Sequence, residues 1–226
     1  GCVSRAPYDQ LNLGDHVGDD PLAVAENRRR FAAALGATPV WLRQAHGARV
    51  VDAAAAAAAE PPEADGAWTD RPGIACAVLV ADCLPVLLAA RNGRAVGAAH
   101  AGWRGLAAGV LERTAEAVAC AAGCAPGELV AWLGPAIGPA NFEVGDDVLA
   151  AFDGHPAERF RPGAPRDGRA RWWADLPGLA RDRLQRAGVE RIDGGRWCTV
   201  ADGSRFFSFR RDGITGRLAA AVWLRG

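Results

Sequence analysis

The apolar positions of this chain fall into short blocks whose period changes repeatedly, and each change marks an element. Residues 74–81 form a nearly continuous apolar run, the pattern of a strand buried on both faces. Residues 86–90 and 95–99 are two shorter apolar blocks around Asn92-Gly93, the dipeptide favoured in a type I′ hairpin turn. Over 105–122 the period lengthens to that of a helix. Positions 107, 110, 111, 114, 118 and 121 share one apolar or small-residue stripe, and Gly123 ends it. Asp20-Pro21 supplies an N-cap and a first-turn proline, and Gly36 a C-cap, so 21–35 is a helix. Another runs from the cap Asp175 to Gly188, with 176, 179, 180, 184 and 187 on one side. Residues 40–43, 49–52, 129–133, 190–192, 205–209 and 218–224 read as strands.

The polar stretches punctuate these elements. The alanine-rich tract 53–64 ends in Glu60-Pro-Pro-Glu63, which breaks any helix begun there. Gly134-Pro-Ala-Ile-Gly-Pro139 is a stiff loop, and 155–171, rich in Pro, Gly and Arg, reads as an exposed, mobile connection. Short strands joined partly by hairpins and mixed with helices imply a mixed sheet system flanked by helices. A doubly wound sheet is disfavoured, because no GxGxxG follows a first strand and the hairpin breaks parallel alternation. No repeat or linker divides residues 1–226, so the expectation is one domain.

Composition narrows the function classes. Half of the 226 residues are hydrophobic, enough for a sizeable core, yet no run of eighteen uncharged apolar residues suggests a membrane span. The 26 basic and 26 acidic residues cancel, which argues against a nucleic-acid or membrane surface. There is no lysine, hence no Schiff-base lysine, and no methionine, so the sequence is expected to begin inside the natural protein. Six cysteines without a CxxC pair read as mostly buried free thiols of a cytoplasmic protein.

Cys83 departs from that rule. If the hairpin turn is centred on 92 and 93, opposed residues have numbers summing to 185 and His100 faces Pro85. Cys83 lies on the same face as Pro85 by the period of two, a diagonal neighbour of His100 roughly 7–8 Å away at the backbone. Asp82 should point to the opposite face. His46, in Gln44-Ala-His-Gly47, sits at a turn upstream. Three readings of His46, Cys83 and His100 stay open: ligands of a zinc ion with the fourth position free, a thiol nucleophile with its base, or a buried thiol beside hydrogen-bonded histidines. A multicopper oxidase is argued against, since four copper ions need more imidazoles than four histidines supply. Arg104, at the start of the helix after His100, could pair with a phosphate or with a carboxylate. The tail 206–217 carries three arginines around Asp212-Gly213, among them Arg210, and reads first as a solvated hairpin tip. His16 is expected to be structural and His155 solvated.

Taken together, Leu11-Asn-Leu-Gly14, His16-Val-Gly-Asp19, Gln44-Ala-His-Gly47, Ala81-Asp-Cys-Leu-Pro85, His100-Ala-Gly-Trp-Arg-Gly105, Gly134-Pro-Ala-Ile-Gly-Pro139 and Phe206-Phe-Ser-Phe-Arg-Arg211 resemble the YfiH family, also called the laccase-domain or polyphenol-oxidase family. The family has an N-terminal strand and a Thr-Arg-x-Gly-Gly-Val-Ser motif; only Gly1-Cys-Val-Ser4 of the motif is present, with Cys2 where glycine is usual, so the resemblance implies that this strand is missing. The resemblance implies an α+β fold, a four-layer α/β/β/α sandwich with mixed sheets related to the cytotoxic necrotizing factor toxins. It implies zinc on His46, Cys83 and His100, with copper able to substitute. It implies purine nucleoside phosphorylase activity on adenosine, inosine, guanosine or methylthioadenosine, with adenosine deaminase as a further activity. The expected partners are then a purine nucleoside and phosphate, in a monomer or homodimer. Alternatives are a metal-binding peptidoglycan editing factor and a Cys/His thiol hydrolase. Arg104 and Asp82 are the candidate catalytic residues beside the metal, and Ser4, Asn12, Gln44 and Arg210 the candidates for substrate contact.

Overall fold

The computed structural model describes residues 3–9, 11–57, 60–152 and 157–226; His155 and Cys2 lie outside them. In chain order the elements are α1 (Pro21–Leu35), β1 (Thr38–Val40), β2 (Val50–Asp52), α2 (Ala53–Ala56), β3 (Gly66–Thr69), β4 (Ile74–Val80), β5 (Leu84–Ala90) and β6 (Val96–Ala101). There follow α3 (Trp103–Ala107), α4 (Val110–Ala122), β7 (Leu129–Leu133), β8 (Glu143–Val144), α5 (Asp146–Ala151), β9 (Phe160–Arg166), β10 (Arg169–Ala174), α6 (Leu176–Arg186), β11 (Arg191–Gly194), α7 (Phe209–Asp212) and β12 (Leu218–Trp223).

Six strands in the order β11-β7-β5-β6-β3-β2 form the main sheet, and β1-β4-β12 form a second one stacked on it. Between the two sheets lie Val40, Ala67, Cys76, Val78 and Ala98. The other face of the main sheet is covered by α4, with α6 against α4, burying Leu84, Val86, Leu88, Leu111, Val118, Leu179 and Leu184. α1 lies beside β1, outside the second sheet. The layers are therefore α/β/β/α, as expected, and both main sheets are mixed, with β1–β4, β2–β3 and β7–β11 parallel and the other pairs antiparallel. β4 is buried on both faces because it is the middle strand of the inner three, with Ala75 and Ala77 as inaccessible as Cys76 and Val78. α4 lies so close to β6 that a Cβ at Gly97 would stand 2.6 Å from Val118. Each fully buried leucine contributes about 1.5–3 kcal/mol of transfer free energy. Among the described residues no helix is long and apolar enough to cross a membrane.

α1 begins and ends at the expected residues: the Asp20 carboxylate accepts from the Leu22 N–H, and Gly36 closes the helix at φ 65°. Four expectations need correction. The helix expected over 105–122 is two, α3 and α4, broken where Gly109 takes φ 89°. Leu106, Val110 and Leu111 all still reach the core, so the apolar stripe runs across the break. Residues 205–209 form no strand. The chain bends back at Asp202, whose carbonyl accepts from Phe206, and Ser208 then caps the single turn α7. The described part of 155–171 is not a bare connection: β9 and β10 pair as a hairpin around Asp167-Gly168, where φ is 52° and 70°. Those two positive angles are the requirement of a type I′ turn, and Asp-Gly meets it. At 92–93, by contrast, only Gly93 has positive φ, and a four-residue loop forms in which the Gly93 N–H donates to the Ala90 carbonyl. The loop keeps the expected midpoint, so the expected register holds, with Pro85 opposite His100 and Leu84 opposite Ala101.

Candidate metal centre and its cavity

The chain between β1 and β2 makes the turn that carries His46. Gln44 anchors it: its amide nitrogen donates to the Leu79 carbonyl at 2.8 Å and its amide oxygen accepts from the Leu79 N–H at 2.7 Å, like a short strand added to β4. His46 itself is left-handed, at φ 59°, a conformation that costs a non-glycine residue about 1 kcal/mol or more. It is held there by Asp65, whose carboxylate accepts from the N–H groups of Ala45, His46 and Gly47 at 3.1, 2.9 and 2.7 Å. The same carboxylate bonds His100 Nδ1 at 2.8 Å. That contact leaves Nε2 of His100 as the free ring nitrogen of a residue only 3% exposed.

Cys83 comes in from the start of β5. Its Sγ lies 3.9 Å from His46 Nε2, and one donor atom from each of His46, Cys83 and His100 falls within 4.8 Å of the others. The side-chain closeness expected across the hairpin is therefore present. A Cβ at Gly102 would stand 3.0 Å from both Cys83 Sγ and the His46 ring, and one at Gly105 would stand 2.7 Å from the Gly47 carbonyl. Two glycines thus let the β6–α3 corner close under the site. Asp82 faces away, as the strand parity implied, with φ at 89°. It accepts from the Thr199 hydroxyl at 2.5 Å and the Arg210 N–H at 2.6 Å, and its own carbonyl accepts from Ile137.

Charge follows from these contacts. Burial alone would raise the Cys83 thiol, but the His100 charge and hydrogen bonds from both histidines outweigh it and bring the thiol to about 6. Burial would likewise lower His100, yet Cys83 and Asp65 raise it to about 9. Asp65 is kept below its ordinary value despite its burial, by His100 and the backbone N–H groups. Without a metal, then, these contacts favour the thiolate–imidazolium form of the pair at neutral pH. Cys76 is the contrast, a core thiol driven far up by burial.

Two imidazoles and a thiolate with one side open are the donor set of a catalytic rather than a structural zinc site. Tetrahedral bonds of about 2.3 Å to sulfur and 2.05 Å to nitrogen place a sulfur and a nitrogen donor about 3.6 Å apart, so the 3.9 Å between Cys83 and His46 needs a slight closure and the widest pair, within 4.8 Å, a larger one. The three side chains form a metal-binding group.

The group opens on a cavity of about 1070 Å³ lined by Asp15, His16, Arg28, Trp41–Gln44, Leu79–Ala81, Phe209 and Arg217, among others. Of the residues expected at the site, Gln44 is on this wall. Ser4 and Asn12 are instead buried in a polar knot, Ser4 donating to Asp19 at 2.6 Å and Asn12 to Asp19 at 2.9 Å. Arg104 is exposed and stacks its guanidinium 4.3 Å from the Trp103 ring, off the cavity wall. Arg210 lies on the far side of α7 and donates to the Glu143 carbonyl at 3.1 Å, while Phe209 takes the place on the wall. His16, expected to be structural, is exposed at the cavity beside Asp15. Asp65 was not anticipated. Its signal was the strand it opens: β3 pairs with β6 as Gly66 with Ala99, which puts residue 65 beside residue 100.

Known proteins resemble this chain over nearly its whole length. A Pseudomonas aeruginosa protein named purine nucleoside phosphorylase is 50% identical over 100% of this chain and 90% of its own length. An Escherichia coli protein named purine nucleoside phosphorylase YfiH is also 50% identical, over 99% of this chain and 90% of its own. The crystal structure of Neisseria meningitidis protein NMB0706 superposes with a TM-score of 0.92 at 47% identity, covering 100% of this chain and 91% of that one. YlmD from Geobacillus stearothermophilus superposes at 0.90 with 34% identity, over 100% and 89%. The profile of the family described as multi-copper polyphenol oxidoreductase laccase matches residues 1–225, and the chain belongs to that family, the YfiH family.

Proposed function

We propose that the protein is a zinc-dependent purine nucleoside phosphorylase of the cytoplasm, with adenosine deamination as a second activity of the same site. The observation that carries the reading is the three-donor group, oriented by Asp65 and open on a cavity roomy enough for a nucleoside. Relatives at half identity that bear the phosphorylase name support it.

In phosphorolysis the bond from ribose C1′ to the purine nitrogen breaks and a bond from C1′ to a phosphate oxygen forms. The base leaves with the electron pair and takes up the proton that hydrogen phosphate gives up, so charge and atoms balance. Zinc on His46, Cys83 and His100 would supply a Lewis-acid charge beside the substrate. The chain itself contributes position. Asp65 fixes the His46 turn and the His100 tautomer, while Trp41, Leu42, Leu79 and Val80 offer apolar wall for a purine face.

Elemental analysis followed by an adenosine and inosine assay, with and without phosphate, tests this. The expected result is near-stoichiometric zinc and release of free base that needs phosphate. Metal-loaded protein that releases no base in phosphate would overturn it. Activity that survives chelation but not iodoacetamide would mark a thiol hydrolase instead.

A further inference from the structure

Three arginines line the cavity, and two are already neutralised. Arg28 pairs with Asp15 at 3.1 Å, and Arg43 with Glu63 at 3.5 Å. Arg217 differs. Its Nη1 donates to the Thr215 and Gly216 carbonyls at 3.0 and 3.1 Å, and no carboxylate among the described residues lies within ion-pair distance. Nε and Nη2, the outer edge of the fork, make no hydrogen bond within the described chain and are not sealed from the cavity.

The side chain is nonetheless held in place. Asn12 Oδ1 accepts from the Arg217 N–H at 2.8 Å and from the Gly14 N–H at 2.9 Å, and the Leu13 N–H donates to the Arg217 carbonyl at 3.1 Å. A Cβ at Gly14 would stand 2.7 Å from Arg217 Cγ, so glycine there leaves room for the arginine stem. Leu11-Asn-Leu-Gly14 is therefore a cradle for Arg217. Burial disfavours the guanidinium charge, and the negative charges of Cys83 and Asp82 favour it. A half-buried cation with no carboxylate in ion-pair range among the described residues, on a wall shared with a metal group, is a ready acceptor for an anion.

We infer that Arg217 binds the phosphate co-substrate through its free Nε and Nη2, with Asn12 and Gly14 as positioning residues, in place of the expected Arg104. This rests on the phosphorolytic reading above. Arg217→Gln should raise the KM for phosphate about 10- to 100-fold, the range for losing a bidentate charge-assisted contact, with the KM for adenosine and the zinc content nearly unchanged. Arg217→Lys, which keeps charge without the fork, should fall between. Gly14→Ala should raise the phosphate KM severalfold while leaving the charge in place, and it serves as the test if Arg217→Gln does not fold. A phosphate KM within about twofold of wild type in these variants overturns the assignment. If the wild type releases no base, the phosphorolytic reading fails, and phosphorus NMR titration of zinc-loaded protein with inorganic phosphate still decides the assignment. Binding lost in Arg217→Gln supports it, whereas equal binding in both proteins, or none to wild type, overturns it.

Discussion

Two buried carboxylates stand near the metal-binding group, and they do opposite things. Asp82 is bonded to Cys83 through the peptide chain, yet its side chain serves Thr199 and the Arg210 N–H on the far side. Asp65 is 19 residues from His46 and 35 from His100, yet it holds both. The reason is the local backbone: Asp82 sits in the bend before β5 at φ 89°, which turns its carboxylate toward Thr199 and Arg210 and away from the donors. Support comes from the next strand in the sheet, and that strand is distant in sequence. Asp65 orients the donors themselves. Asp82 fixes the backbone at Cys83 and ties it to α7, which carries Phe209.

The sharpest way to break this contrast is Asp65→Ala. It leaves three backbone N–H groups and a buried imidazole without their acceptor, so a loss of about 3–5 kcal/mol in denaturant stability is expected, together with loss of metal from the purified protein. The milder Asp65→Asn should keep the fold and weaken zinc binding about 10- to 100-fold in a competition titration. Asp82→Asn removes charge from hydrogen bonds that shape the loop; it should cost about 1–3 kcal/mol while zinc stays near stoichiometric. If Asp82→Asn strips the metal and Asp65→Asn does not, the two roles have been assigned backwards.

Proton uptake sharpens the comparison further. His100, raised to about 9, is protonated in the metal-free site at neutral pH and must lose that proton to bind a metal. Between about pH 7 and 8, zinc binding should release close to one proton, and its affinity should rise about tenfold per pH unit. The rise should flatten above about 9 and steepen below about 6, where Cys83 also takes up a proton. Calorimetry in buffers of different ionisation enthalpy reads this directly. Asp65→Asn lowers His100 and should reduce the release at pH 8, whereas Asp82→Asn should not. The smallest effect belongs to Gly102→Ala, whose methyl would crowd Cys83 Sγ and the His46 ring and should weaken zinc severalfold with little change in stability.

Much of this was legible because it is local. α1 was readable from Asp20-Pro21 and Gly36, since caps act within a turn of the residues they stop. The register that brings Cys83 toward His100 followed from a short loop between two apolar blocks, and it survived an error in turn type because the midpoint was right. Where local pattern and partner disagreed, the partner prevailed. Residues 205–209 read as a strand, but no ladder receives them. The prolines and arginines of β9 and β10 hid a hairpin whose buried contacts are few, Phe160 and Ala174 among them.

Short-range facts could be read along the chain: which residues could be metal donors, where α1 starts and stops, and how β5 folds back on β6. Tertiary structure alone decided what surrounds them. Asp65 reaches His100 only because β3 pairs with β6, and Arg217 reaches the cavity only because Asn12 and Leu13, 205 residues from Arg217 at Asn12, bind its backbone. A local pattern records the period of its own element. It carries no term for a hydrogen bond made across the sheet or between the two ends of the chain.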